Sequence, residues 1–229
     1  MDKKKDVGAL FDGIAGTYDR FNHLLSLNID KSWRRKAVRS LDRAERLLDL
    51  ATGTADLAIE TIRQDKAASI VGMDISTQMM AIGRAKVEKA GYSDRITLVE
   101  GSALDIPCPD ASFDAVTSAY GVRNFSDLDK GLSEMCRVLK SGGQLRILEF
   151  SYPGNKFIRA VYDFFFTNIM PVVGKLVSKD AGAYKYFRES VKGFIWGQEM
   201  ADRIAAAGFS DVSFKTMTFG ISTLYIAKK

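Results

Sequence analysis

The 229-residue chain is poor in the residues that build metal centres. It has one histidine, His23, and two well-separated cysteines, Cys108 and Cys136. That set makes neither a zinc cluster nor a disulfide framework, and points to a reducing, cytoplasmic setting. Only four prolines interrupt it. There is no repeat, low-complexity tract or linker separating independent domains. No apolar targeting segment follows the first methionine, so secretion is not indicated. The longest apolar region, FIRAVYDFFFTNIMPVVGKLV (157–177), is broken by Arg159, Asp163, Asn168, Pro171 and Lys175. It is a poor spanning helix, and suits a buried helix or an apolar lid.

What is present describes one large globular unit with ample core: 46% apolar and 27% charged residues, at a net charge of +5. Part of that charge sits in the opening MDKKKD. It is compatible with weak attraction to an anionic membrane surface.

Residues 7–46 read as helical. Within YDRFNHLLS (18–26), Tyr18, Phe21 and Leu25 share one face, while Asp19, Asn22, His23 and Ser26 share another. From 46 onward, short apolar runs alternate with helical segments: strands at 46–51, 69–75, 96–102, 113–121 and 142–151, with a helix at 128–140. Such alternation means βαβ units and a parallel sheet covered on both faces. Two helices broken near Gly193–Gly197 follow, then two strands around Gly220 that read as a hairpin.

In an open parallel sheet, ligands bind beyond the carboxyl ends of the strands. The first turn, LLDLATGTADLA (47–58), places Gly53 between Asp49 and Thr54. It is not a dinucleotide fingerprint, because Ala55 and Ala58 stand where further glycines are needed. Twenty-one residues after Gly53, Asp74 ends the second strand, where it can accept hydrogen bonds from both hydroxyls of a ribose. The third strand ends at Ser102–Ala103, beside the place of a nucleobase. The fourth ends in SAYGVRN (118–124), a glycine loop carrying a fixed cation. The nucleic-acid base methylators' N/D-P-P-Y/F segment is missing, as is any basic-aromatic stripe.

This pattern resembles the class I S-adenosylmethionine-dependent methyltransferases. Residues 18–33 resemble the amino-terminal signature of the ubiquinone/menaquinone-biosynthesis C-methyltransferases (UbiE/MenG): Y-D-x-M-N, a serine four further on, then H-x-x-W. RVLKSGGQLRILEFS (137–151) is similar to that family's second signature, and Tyr120-Gly121-Val122-Arg123-Asn124 matches its FGLRN. The chain departs from the pattern at Phe21, at Asp30 (histidine in the signature), at Ala119 (serine in some members) and at Ser141.

The resemblance implies a Rossmann-like α/β fold with a mostly parallel doubly wound sheet and a C-terminal antiparallel hairpin. Residues 1–229 form one methyltransferase domain, with an N-terminal helical segment at 7–45 and a helical lid at about 155–195. It implies C-methylation of a polyprenylated hydroquinone, demethylmenaquinol first and 2-polyprenyl-6-methoxybenzoquinol as the alternative. Asp49, Gly53, Thr54, Asp74, Ser102 and Ala103 hold the S-adenosylmethionine. Arg123 is the polar catalytic centre, Asn124 shapes its loop, and Asp19 is a base or a contact to the cofactor amine. His23 is a secondary candidate. The apolar stretch 157–177, with Tyr184 and Tyr186, gives the isoprenoid tail a channel and brings the protein to the inner face of the membrane. No metal and no nucleic acid are implied, and a homodimer is left open. A nicotinamide-dependent oxidoreductase and a non-catalytic binding subunit are the rivals of different class.

Overall fold

The computed structural model describes residues 8, 9, 12, 13, 15, 16, 26, 28–170 and 181–229, with no side-chain description at 169 and 181–185. Seven strands form one sheet in the order β3-β2-β1-β4-β5-β7-β6: β1 (Ala44–Leu50), β2 (Ala67–Asp74), β3 (Ile96–Glu100), β4 (Phe113–Ala119), β5 (Leu139–Phe150), β6 (Ser210–Met217) and β7 (Ser222–Lys228). The first five are parallel neighbours, while β7 runs antiparallel to both β5 and β6. The chain therefore places its last strand inside the sheet and the one before it at the edge.

The helices are α1 (Ile29–Arg39), α2 (Asp56–Arg63), α3 (Thr77–Lys89), α4 (Leu128–Val138), α5 (Lys156–Phe164), α6 (Ala181–Gly193) and α7 (Gln198–Ala206). Local chemistry starts several of them. Ser76 Oγ accepts from the amide of Met79 at 3.1 Å and caps α3, and Asp127 Oδ1 caps α4 through Lys130 at 3.0 Å. Asn155 Oδ1 does the same for α5.

The sheet separates two apolar layers. Leu50, Val116, Leu132, Met135 and Ile204 pack on one side, and Leu47, Ile62, Ile70 and Met80 on the other. A third cluster joins Trp33 of α1 to Tyr120, Phe150, Tyr162, Phe166 and Phe187. Trp33 Nε1 also donates to Thr218 Oγ1 at 2.8 Å, tying α1 to the turn of the last hairpin.

Boundaries differ from expectation at several strand and helix ends, three of them with a plain physical reason. β1 begins at Ala44, inside the stretch read as helical, because its amides pair with β2 and Arg46 N–H bonds Asp114 at 2.8 Å. α4 stops at Val138 rather than Lys140, since Leu139 enters the ladder opposite Phe113. β4 stops at Ala119, where Tyr120 turns left-handed at φ 62°. Of the apolar region 157–177, α5 is followed by a π turn at Phe165–Ile169; 171–177 lies outside the described residues. Among the described residues no helix is long and apolar enough to cross a membrane.

Candidate active site

Beyond β1 the chain alternates into the left-handed region at Ala51 (φ 53°), Gly53 (φ 54°) and Ala55 (φ 65°). For a residue with a Cβ this costs about 1–2 kcal/mol, and such strain persists only where the surroundings over-determine it. Here Thr52 N–H donates to Met73 O at 3.1 Å and Ala55 N–H to Thr52 O at 2.9 Å. Gly53 N–H donates to Asp74 Oδ2 at 2.8 Å. Gly72 lies below, where a Cβ would stand 2.9 Å from Thr52 Oγ1, so its lack of a side chain lets the turn settle on β2. A Cβ at Gly53 itself meets no heavy atom within 4 Å. The turn thus presents bare backbone to open space, where a ligand can approach it closely.

Two carboxylates flank it. Asp49, 1% exposed, accepts from Thr52 Oγ1 and from Thr117 Oγ1, each at 2.7 Å. Burial pushes its pKa up to about 6, against the pull of the two threonines and of Arg34. Asp74 ends β2 half-buried, and Ser76 N–H donates to its Oδ1 at 2.9 Å. Burial raises its pKa, while the amides of Ser76, Gly53 and Ile75 oppose the rise. Amide donors leave acceptor capacity on the same oxygens for a ribose hydroxyl. Asp12, from the N-terminal segment, reaches back to accept from Ser76 Oγ at 2.5 Å, beside the same strand end.

Thr54 Oγ1 accepts from Lys86 Nζ at 3.0 Å, and Lys86 also pairs with Asp56. Ser102 and Ala103 lie just past β3, next to the end of β2, half-exposed in a turn where Ser102 Oγ accepts from Leu104 N–H at 3.2 Å.

The loop after β4 abuts the glycine turn. A Cβ on Gly121 would stand 2.4 Å from Ala51 Cβ, so a glycine there lets the two loops touch. A single 3-10 turn, Val122–Asn124, follows. Its Arg123 side chain is 4% exposed and donates through Nη1 to Glu149 Oε1 at 2.7 Å and to Tyr120 O at 2.5 Å. Glu149 is 1% exposed and also accepts from the amides of Arg123 and Phe150. The guanidinium carbon lies 5.4 and 5.5 Å from the Phe150 and Phe187 ring centres. Asn124 Oδ1 accepts from Tyr186 Oη at 2.9 Å, which fastens α6 to this loop.

A third loop of charge comes from α1. Asp30, 1% exposed, accepts from Ser26 Oγ at 2.6 Å and forms an ion pair with Arg34. Arg34 lines an open cleft together with Asp49, Gly53, Thr54 and Ala119.

Asp49, Gly53, Thr54 and Asp74 come together around the first turn, with Ser102 and Ala103 at the neighbouring strand end and Arg123 and Asn124 across the Gly121 contact. Asp19 and His23 lie outside the described residues, as does the side chain of Tyr184. The sequence reading passed over Arg34, Thr117, Glu149 and Asp12. Glu149 stands inside the quoted second signature, and Arg34 directly follows the signature tryptophan. Position relative to a motif was the available signal for both, and charge pairing across the fold was not readable.

The chain matches the ubiE/COQ5 methyltransferase family over residues 1–229. It is 45% identical to the demethylmenaquinone methyltransferase of Bacteroides fragilis, across 99% of this chain and 94% of that protein. It is 44% identical to the ubiquinone/menaquinone biosynthesis C-methyltransferase UbiE of Geobacter sulfurreducens, across 100% of this chain and 90% of that one. Among solved structures, a SAM-dependent methyltransferase from Thermotoga maritima, described as a possible histamine N-methyltransferase, superposes with a TM-score of 0.68. At 18% identity over 96% of this chain and 99% of that one, the likeness concerns the fold. Full-length agreement with a family model, and identities far above that level to two of its curated proteins, settle the family: the chain belongs to the UbiE/COQ5 methyltransferases.

Proposed function

We propose that this enzyme transfers a methyl group from S-adenosyl-L-methionine to a ring carbon of a polyprenylated hydroquinone, demethylmenaquinol before all others. The observation that carries the reading is the Gly121–Ala51 contact, which sets the Arg123 loop directly against the cofactor turn. Relatives named demethylmenaquinone methyltransferase, 41–45% identical over nearly the whole chain, favour the naphthoquinol.

The cofactor supplies an electrophilic methyl group when bound. The chain's own part is to align acceptor and donor and to stabilise negative charge on the acceptor oxygen. Gly53 and its neighbours receive the methionine end, Asp74 the ribose, and Ser102–Ala103 the adenine. Asp49 supplies negative charge beneath the turn. Arg123 carries only N–H donors, so it serves as a fixed cation for the developing phenolate rather than as a base. Glu149, Tyr120 O and two aromatic rings hold it in one orientation, which is the preorganisation such stabilisation needs. Asn124 positions the loop through Tyr186. Asp19 is the candidate to take the phenol proton.

The membrane is met, in this proposal, by α5. Phe157, Val161 and Phe164 are 75%, 53% and 61% exposed on one face, and Tyr162 is buried on the other. Phe219, 76% exposed, stands on the hairpin turn that abuts Pro153 at the start of α5. Exposed Lys156 stands beside the stripe, a placement that suits an interfacial helix. A substrate with an isoprenoid tail is thus taken at the inner face of the bilayer.

The test is incubation of the purified protein with labelled S-adenosylmethionine and each demethylated quinol, with products identified by mass. Methyl transfer to demethylmenaquinol is expected. Transfer to the benzoquinol alone overturns the substrate assignment, and transfer to neither overturns the enzyme reading. A thermal shift with NAD but none with S-adenosylhomocysteine supports the oxidoreductase instead.

A further inference from the structure

The cofactor's methionine end is a zwitterion, and a site that recognises it needs charge of both signs. Asp49 provides the negative pole below the glycine turn. The positive pole in the same cleft is Arg34, brought there by α1. Three features fix it in place. Asp30 and Arg34 stand at i and i+4 on one face of α1, and Ser26 reaches Asp30 from the turn before the helix. Asp30 accepts from Ser26 Oγ on one oxygen and binds Arg34 Nη1 on the other. The guanidinium also lies 5.2 Å from the Tyr120 ring centre and 3.8 Å from Asp56.

Asp30 accounts for one edge of a planar group with five N–H donors. Nη2 faces Asp56 only at 3.8 Å, beyond hydrogen-bond distance, so it keeps N–H donors suited to a further carboxylate. Only 8% of Arg34 is exposed, and it lines the cleft shared with Gly53 and Ala119. A cation so buried, and oriented by a buried anion, is preorganised for one class of ligand.

We infer that Arg34 binds the α-carboxylate of the cofactor's methionine end, opposite Asp49, and that Asp30 acts through it as a positioning residue. The inference rests on the placement of that end at the Gly53 turn. It also gives a use to the position where the family signature has histidine.

Isothermal titration of three ligands tests it: S-adenosylhomocysteine, its decarboxylated analogue (amine kept, carboxylate lost) and methylthioadenosine. The parent protein is expected to prefer S-adenosylhomocysteine over the decarboxylated analogue by roughly 10–100-fold, the worth of a charge-assisted hydrogen bond. In Arg34→Gln that preference collapses to within about threefold, while affinity for the decarboxylated analogue and methylthioadenosine stays within about threefold of the parent. Arg34→Lys keeps part of the preference. Because Arg34→Gln leaves Asp30 as a lone buried charge, the pair Asp30→Asn/Arg34→Gln is measured alongside, with the same ratio as readout. Equal weakening of all three ligands, or a parent protein indifferent to the carboxylate, overturns the inference. Asp74→Asn separates it from the placement it rests on: unchanged methylthioadenosine binding in that variant refutes the cofactor's position in the cleft, and with it the role given to Arg34.

Discussion

Glu149→Gln is the perturbation that most directly probes how the Arg123 loop is held. The pair is almost fully buried, at 4% and 1% side-chain exposure, with Nη1 and Oε1 2.7 Å apart. Glutamine keeps a carbonyl for the Phe150 amide, now 2.8 Å from Glu149 Oε1, so the change removes charge rather than shape. Breaking a buried pair by neutralising one member costs about 3–5 kcal/mol, because the surviving charge stays out of water. A domain of this size holds about 5–15 kcal/mol in all, so the variant folds but loses a large part of its margin. With a urea m-value of about 2–3 kcal/mol/M, the midpoint falls by about 1–2 M. Trp33, buried edge-on to Phe150 at 6.1 Å between ring centres, reports the transition by fluorescence. A cycle with Arg123→Gln isolates the pair, and the double variant should recover about 2–3 kcal/mol relative to the sum of the singles. Binding of S-adenosylhomocysteine stays within about twofold of the parent, while methyl transfer drops on the order of 10²-fold, the scale of one lost electrostatic stabiliser. A midpoint loss worth less than about 1 kcal/mol, or strict additivity in the cycle, refutes the reasoning.

Three further outcomes are expected. Asp49 ionises only above about 6, because burial raises its pKa, so folding alone favours its neutral form and its ionisation costs stability as pH rises from the ordinary carboxylate range. A cationic ammonium prefers the ionised form; titration calorimetry should show S-adenosylhomocysteine affinity rising between pH 5 and 7, at about the Asp49 pKa, and Asp49→Asn should flatten that rise. Gly121→Ala drives a methyl group to 2.4 Å from Ala51 Cβ. Overpacking of about 1–3 kcal/mol, read by calorimetry at about 2–4 °C per kcal/mol, should accompany a fall in kcat, and an unchanged melting temperature argues against the contact. Phe157→Ser with Phe164→Ser touches only exposed side chains, so stability should change by less than about 0.5 kcal/mol. Co-sedimentation with anionic vesicles should weaken about tenfold or more, and undiminished sedimentation removes α5 from the membrane proposal.

Much of the fold was legible because it is written in local pattern. Leu47, Leu48 and Leu50, or Ile70 and Met73, form the short apolar runs that central parallel strands require. Strand ends give the candidate loci, and Asp49, Gly53, Thr54 and Asp74 do lie together around the first turn. The insertion of β7 between β5 and β6 had no local signature, because register between distant strands depends on the fold as a whole. The same holds for Arg34 and Glu149. Each owes its surroundings to a partner on another element or another turn of its own helix, and charge alone in a sequence reads as a solvated surface residue. The left-handed alanines were hidden for a different reason. Ala51 and Ala55 have no intrinsic preference for that conformation, and only Asp74 and Met73, reached through β2, show what imposes it.

The position of β7 has a consequence for how the molecule is made. The parallel strands β1 to β5 are synthesised first. Until β7 arrives, however, the outer side of β5 is a raw edge of unpaired amides and carbonyls along Gln144–Phe150, the longest strand of the sheet. Such an edge recruits other chains as readily as its own. The edge of β5 is therefore covered only when the β6–β7 hairpin, made last, docks its second strand along it, and a holding chaperone has its best-defined task in covering β5 during that wait.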